Sequence, residues 1–302
     1  NPEEPAALAM AVEKAKETDA ELVMASDPDA DRVGAAVKNN EGEWVLLNGN
    51  QTALMFVYYL ITRWKELGKI NGKEYIVKTI VTTETIKTIA ERNGVEMYDV
   101  YTGFKWIANV MRENEGKKNY IGGGQESYGF LCEDFVRDKD AVSACVILAE
   151  IAAWAKDQGL SLYQLLQKIY VEYGFSKEKG ISVVKKGKSG AEEIEAMMKK
   201  FRENPLTEIA GSKVTYFYDY STLKGKDYAE NETVTLDMPT TSNVLQYFTE
   251  DNTKVSIRPS GTEPKIKFYC EVHSKVKSID ELPEAEKAAE EKINQIKASL
   301  GI

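Results

Sequence analysis

The 302-residue sequence holds one histidine, His273, and three cysteines, Cys132, Cys145 and Cys270. A lone histidine beside Val272 in an apolar, strand-like run reads as structural, so no Ser-His-Asp system can be assembled. The cysteines are far apart and form no CxxC pair. That argues against a structural zinc and a disulfide framework, and it fits a reducing cytoplasm. No apolar run approaches the roughly 20 residues of a membrane-spanning helix. The longest, Ala53 to Trp64, is interrupted by Thr62 and Arg63, so no membrane is expected as a partner. There is also no basic run: 39 Lys and Arg face 48 Asp and Glu, a formal charge of −9. Nucleic acid is therefore not an expected partner. A small anionic substrate stays open, because nearby cations outweigh a distant net charge at short range. The opening Asn1-Pro2-Glu3-Glu4-Pro5 has no basic segment of the kind that begins a signal peptide.

Apolar residues make up 43% of the chain, enough to build cores and to exclude disorder as the main state. At roughly 150 residues per domain, the length suggests about two domains. The first part reads as α/β. Apolar residues at Leu8, Ala11, Val12 and Ala15 lie on one face of a helix over Pro5 to Lys16. Glu21 to Ala25 reads as a buried parallel strand, followed by strands at Val33 to Val37 and Trp44 to Leu47. Asn50 is expected to cap a helix over Gln51 to Leu67. Tyr75 to Val81, Thr85 to Asn93 and Glu96 to Tyr101 have the spacing of a βαβ unit in a parallel sheet. Helices are expected at Gly103 to Glu113, Ala141 to Lys156 and Leu162 to Glu172, and a linker from Gly174 to Lys179. Beyond it come one helix, then mostly strands, then the charged helix Glu284 to Ser299. That order suggests a separate α+β domain.

Three segments carry chemistry. Asp27-Pro28-Asp29-Ala30-Asp31-Arg32 follows the first apolar strand. Carboxylates at alternate positions repel one another unless a cation sits among them, and hard oxygen donors suit Mg²⁺. The loop is not an EF-hand, since Arg32 stands where glycine is required and Lys38 where glutamate is. Its bland reading is a solvated acidic turn. Gly122-Gly123-Gly124-Gln125-Glu126-Ser127-Tyr128-Gly129 combines close-approach glycines with Gln125, Glu126 and Ser127, side chains able to hold sugar hydroxyls. Alone it reads equally as a connection between elements. Arg258-Pro259-Ser260-Gly261-Thr262-Glu263-Pro264-Lys265 joins two strands, and its Arg fork, hydroxyls and loop amides suit an anion. Alone it reads equally as a turn. Thr102-Gly103-Phe104-Lys105 opens a helix, where backbone amides favour anions. Arg137-Asp138-Lys139-Asp140 reads first as a surface ion network, and second as a site where burial could tune Lys139 for proton transfer.

In this order, the three segments resemble those of the α-D-phosphohexomutase family, the phosphoglucomutases and phosphomannomutases, over essentially the whole chain. The resemblance implies two α/β units of that family, the first partial, followed by a smaller α+β domain that closes over the cleft. Residues 1–72 would be the end of domain 2, 73–173 domain 3 and 174–302 domain 4. The first domain, whose phosphorylated serine lies in a segment like Thr-Ala-Ser-His-Asn-Pro, would lie outside this sequence and be its partner. Without it, the fragment is expected to be inactive. The resemblance further implies that phosphate moves reversibly between the 1- and 6-positions of a hexose phosphate. Glucose is favoured over mannose, and the intermediate is a glucose 1,6-bisphosphate. Asp27, Asp29 and Asp31 would hold Mg²⁺, and Arg32 would steady the reacting phosphate. Lys139 would serve as acid/base, with Lys105 lining the cleft. Gln125, Glu126 and Ser127 would contact the sugar, and Arg258, Ser260, Gly261 and Thr262 the non-reacting phosphate. Gln125 departs from the family's usual Gly-Glu-x-Ser pattern, keeping an acceptor oxygen but losing the charge.

Two rival readings stand beside this one. A haloacid-dehalogenase-type phosphatase also places DxD after an apolar strand and would make Asp27 the nucleophile, but leaves the other two segments unexplained. A non-catalytic sugar-phosphate-binding module describes the chain taken by itself.

Overall fold

A computed structural model of the chain describes residues 1–185, 187–261 and 263–302. It forms two units, Asn1–Gly174 and Phe175–Ile302.

In the first unit the elements run α1 (Pro5–Glu17), β1 (Leu22–Ser26), β2 (Val33–Lys38), β3 (Trp44–Leu47), α2 (Gly49–Glu66), β4 (Glu74–Thr79), α3 (Thr85–Arg92), β5 (Glu96–Val100), α4 (Phe104–Asn114), β6 (Asn119–Gly124), β7 (Phe130–Cys132), α5 (Ala141–Asp157) and α6 (Leu162–Tyr173). β1, β2 and β3 make a three-stranded antiparallel sheet. The parallel pairing expected of the first strand is thus overturned. Only about six residues separate it from β2, far fewer than a parallel crossover needs. Leu8, Val12 and Ala15 of α1 pack on Val23 and Ala36 of this sheet.

The second sheet has the order β5-β4-β6-β7, with β4 parallel to both β5 and β6 and β7 antiparallel to β6. The expected βαβ unit is present. Phe104, Ile107 and Met111 of α4 pack on Tyr75, Val77 and Tyr120 of this sheet. Each fully buried side chain of this size stabilises by about 1.5–3 kcal/mol. α2 covers the opposite region: Phe56 stacks on Phe130 with ring centroids 4.5 Å apart. Every residue of α2 from Ala53 to Ile61 is buried, and the helix packs against α3, α5 and α6 as well as β6. Asn48, not Asn50, caps α2, in a reciprocal capping box with Gln51. Asn50 instead accepts from the backbone of Thr83 at 3.0 Å.

The second unit holds β8 (Phe175–Val184), α7 (Gly187–Glu203), β9 (Glu208–Ile209), β10 (Ser212–Asp219), β11 (Lys224–Asp227), β12 (Glu232–Thr235), β13 (Leu245–Thr249), β14 (Lys254–Pro259), β15 (Lys265–Ser274) and α8 (Leu282–Leu300). One antiparallel sheet runs β12-β11-β10-β13-β14-β15-β8, with β9 beside β10. The segment expected to be a linker is the start of β8, paired with β15 over ten residues from Phe175 opposite Ser274 to Val184 opposite Lys265. Its Lys177 and Lys179 reach Glu286 and Glu290 of α8. The lysines that made it look like a linker are thus the charged rim of a strand. No described helix is long and apolar enough to cross a membrane.

Candidate active site

The acidic loop leaves β1 at its C-terminal end and returns into β2. Asp27 is buried there, 6% exposed. Its Oδ1 accepts from the backbone N–H groups of Asp31 and Arg32, both at 3.1 Å, and its Oδ2 accepts from Arg32 Nε at 2.8 Å. Burial alone would raise the Asp27 pKa. The Arg32 contact and the two amides outweigh it and hold the carboxyl down at about 2. Arg32 also reaches Glu3 at 3.1 Å. Ala30 takes a positive φ of 56° to close the turn.

Lys139 approaches the same loop from the segment before α5. Its Nζ is 2.8 Å from Asp31 Oδ2 and 3.3 Å from Asp138. Burial opposes its charge, yet Asp31 and Asp138 raise its pKa above the ordinary lysine value. At neutral pH Lys139 is therefore an ammonium. Asp140 caps α5 through the N–H groups of Val142 and Ser143, which fixes where the preceding lysine emerges. The segment is an ion network that ties the acidic loop to the start of α5, and an Asp just before an apolar run was the sequence signal for the cap.

The glycine-rich segment meets both. Val33 donates to the carbonyl of Tyr128 at 3.1 Å, and Ala141 donates to that of Ala30 at 3.0 Å. A Cβ on Gly129 would lie 2.3 Å from Lys139 Cδ, and one on Gly49 would lie 2.0 Å from the Glu126 carbonyl oxygen. The absent side chains let the Lys139 stem and the α2 terminus come this close. These backbone contacts leave no trace in residue identity except the glycines. Glu126 is half-buried and accepts from Thr79 Oγ1 at 3.1 Å. Ser127 is half-buried beside it. Gln125 is the most buried of the three. It is 7% exposed, and with its amide oriented so that oxygen meets donors it accepts from the Gly103 and Phe104 N–H groups at 2.9 and 3.2 Å.

Phe104, Lys105, Arg112, Arg137, Asp138 and Lys139 line an open cleft of about 1010 Å³. Lys105 is exposed there, with its Nζ 5.1 Å from the Trp106 ring centroid. Lys139 Nζ stands 5.8 Å over the Phe104 ring. The cleft is large enough for a phosphorylated sugar.

The donor chemistry of the acidic loop, all carboxylate oxygen, fits a hard dication. The carboxylates do not converge on one point, however. Asp27 is turned to Arg32, Asp31 to Lys139, and Asp29 is exposed. Among the described residues no group of three or more His, Cys, Asp and Glu is gathered as a metal site. The chain's own cations stand where the repulsion argument requires positive charge.

In the second unit, Arg258 is half-buried near the end of β14, opposite Lys267 of β15. Ser260 N–H donates to the Lys265 carbonyl at 2.7 Å, and Ser260 Oγ accepts from Glu263 N–H at 3.3 Å. Gly261 is exposed. Thr262 lies outside the described residues. Ser260, Pro259 and Pro264 border a second cavity of about 600 Å³ with α7. The lone histidine is structural, as its neighbours suggested: Nε2 of His273 is 2.7 Å from Glu271, which also meets buried Lys254 at 2.9 Å.

Family models for phosphoglucomutase/phosphomannomutase match consecutive stretches of the chain. Domain II matches residues 1–42, domain III residues 48–173 and the C-terminal domain residues 182–289. The chain belongs to the α-D-phosphohexomutase family. Among curated relatives, it is 38% identical over 269 residues to a phosphoglucomutase of Staphylococcus aureus (strain MRSA252), covering 89% of this chain and 48% of that protein. It is 34% identical over 273 residues to the phosphoglucomutase of Staphylococcus haemolyticus (strain JCSC1435), covering 90% and 49%. The chain thus spans about half the length of the curated relatives it matches. A phosphoglucomutase/phosphomannomutase family protein from Burkholderia thailandensis shares the fold with a TM-score of 0.61 at 18% identity, over 99% of this chain and 51% of that one.

Proposed function

We propose that this chain supplies the metal, sugar and phosphate loops of a phosphohexomutase. The enzyme would move phosphate reversibly between the 1- and 6-oxygens of a hexose phosphate in the cytoplasm, with glucose favoured and mannose the alternative. The observation that carries this reading is the meeting of three separate segments in the first unit. Tyr128 O is tied to Val33, Ala30 O to Ala141, and Lys139 to Asp31.

The phosphoryl carrier is a serine in a domain outside these 302 residues, the chain's partner in the reaction. In the first half-reaction the phosphorus–oxygen bond to that serine breaks as one to a sugar hydroxyl forms, giving a 1,6-bisphosphate. In the second, the other phosphate returns to the serine. Asp27, Asp29 and Asp31 would hold Mg²⁺, which when bound draws charge from the phosphoryl group in transfer. Arg32, already fixed by Asp27 and Glu3, presents a guanidinium to the same phosphate. Lys139 is held protonated, so it acts first as the acid that supplies a proton to the leaving serine or sugar oxygen. It takes up a proton only after giving one. Lys105 draws a phosphate to the cleft. Glu126 and Ser127 face the sugar hydroxyls. Arg258, Ser260, Gly261 and Thr262 grip the phosphate that is not reacting.

The phosphatase reading would have Asp27 attack phosphorus. Both Asp27 oxygens already accept hydrogen bonds, which weakens a nucleophile. Phosphoryl trapping with labelled glucose 1,6-bisphosphate separates the two. A mutase leaves acid-stable label on a serine outside residues 1–302. Label on Asp27, lost in mild base as an acyl phosphate, would overturn the proposal.

A further inference from the structure

Of the three expected sugar contacts, Gln125 is the one whose side chain reaches backbone N–H groups at the rim of the cleft. It is buried, and its amide oxygen spans the Gly103 and Phe104 N–H groups at 2.9 and 3.2 Å. Those are the cap and first residue of α4, whose terminus no side chain of its own caps. Gly103 has a φ of 113°, outside the region that side-chain-bearing residues prefer. The turn before α4 therefore needs an external acceptor, since a helix's first amides have no partner within it. Gln125, the residue that follows the glycine-rich strand β6, provides one. Its own N–H donates to the Gly129 carbonyl at 2.9 Å, so the cap is fastened to the loop that makes room for Lys139.

Resting on the mutase reading above, we propose that Gln125 is a positioning residue that sets the α4 terminus, and not a sugar contact. Two cleft groups depend on that terminus. Phe104 carries the ring over which Lys139 Nζ stands, and Lys105 is the next residue. The amide oxygen is the working atom. A carboxylate would accept from the same two N–H groups and suit the positive end of a helix, whereas a hydrocarbon of the same size would leave them unpaired.

The test has two arms. In the first, amide hydrogen exchange is followed by NMR in this chain, without any substrate. Gln125→Leu is expected to speed exchange at Gly103 and Phe104, while Gln125→Glu leaves both slow. In the second, kcat and KM are measured in the complete enzyme, the chain together with its phosphoserine domain. Gln125→Leu is expected to lower kcat with little change in sugar KM, and Gln125→Glu to restore kcat. Unchanged exchange in Gln125→Leu would overturn the proposal. So would a loss confined to KM that Gln125→Glu fails to rescue, the mark of a direct sugar contact. If Gln125→Leu does not fold, Gln125→Asn shortens the side chain and must show the same faster exchange. A wild-type enzyme without mutase turnover would defeat the mutase reading alone, because the exchange arm needs no turnover.

Discussion

Lys139 Nζ and Asp31 Oδ2 are 2.8 Å apart, although 108 residues separate them in the chain. The pair joins the acidic loop after β1 to the segment before α5. Its geometry rests on Gly129, against whose missing Cβ the lysine stem lies.

Gly129→Ala is therefore expected to displace Lys139 while leaving the fold in place. The atom struck is a mobile methylene, and overpacking of this kind costs about 1–3 kcal/mol. Freed from Asp31, Lys139 should be acylated faster by a lysine-selective reagent, read by mass spectrometry against Lys105 as internal reference. An unchanged ratio would mean that the glycine does not set the lysine's position.

Asp29→Asn is expected to leave stability within about 0.5 kcal/mol, because the side chain is exposed. Mg²⁺ affinity should fall by roughly ten-fold or more, about 1.4 kcal/mol, with most turnover of the complete enzyme. Calorimetric titration of Mg²⁺ into the chain checks it. Equal affinity in the variant would remove Asp29 from the ligand set.

Arg258→Ala should weaken sugar-phosphate binding by about 1.5–3 kcal/mol, roughly 10- to 150-fold in Kd. Lys265 and Lys267 compensate only in part, since a point charge does not copy a bidentate fork. Titration of glucose 6-phosphate into the complete enzyme is the check, and an unchanged Kd would make the loop an ordinary turn.

The second unit should lose stability as pH rises past 6.5. Burial works against a charged His273, but the Glu271 carboxylate, helped by Glu178 and opposed by Lys254, raises its pKa above 6.5. The folded state therefore binds the proton more tightly than the unfolded one. The contribution is complete below pH 6.5 and vanishes as pH climbs through the folded value. Urea melts of His273→Gln should show a flatter pH dependence over that window. An identical slope would contradict the assignment.

Much of this molecule was legible in its residues. The βαβ unit showed in alternating runs and glycine stops, and the acidic, glycine-rich and Arg258 segments stood out by composition. Three things did not show. The antiparallel pairing of β1 depends on a partner strand that apolar content does not name. β8 hid behind Lys177 and Lys179, whose partners Glu286 and Glu290 lie over a hundred residues away. The role of Gln125 depends on two backbone N–H groups, which no side-chain pattern encodes.

The most direct test follows glucose 1-phosphate by ³¹P NMR, with Mg²⁺ and a trace of glucose 1,6-bisphosphate, in the complete enzyme that contains this chain. The account predicts that the 1-phosphate signal gives way to the 6-phosphate signal, with no inorganic phosphate released and with the rate collapsing in Lys139→Met. Growth of an inorganic phosphate signal in place of glucose 6-phosphate would contradict it.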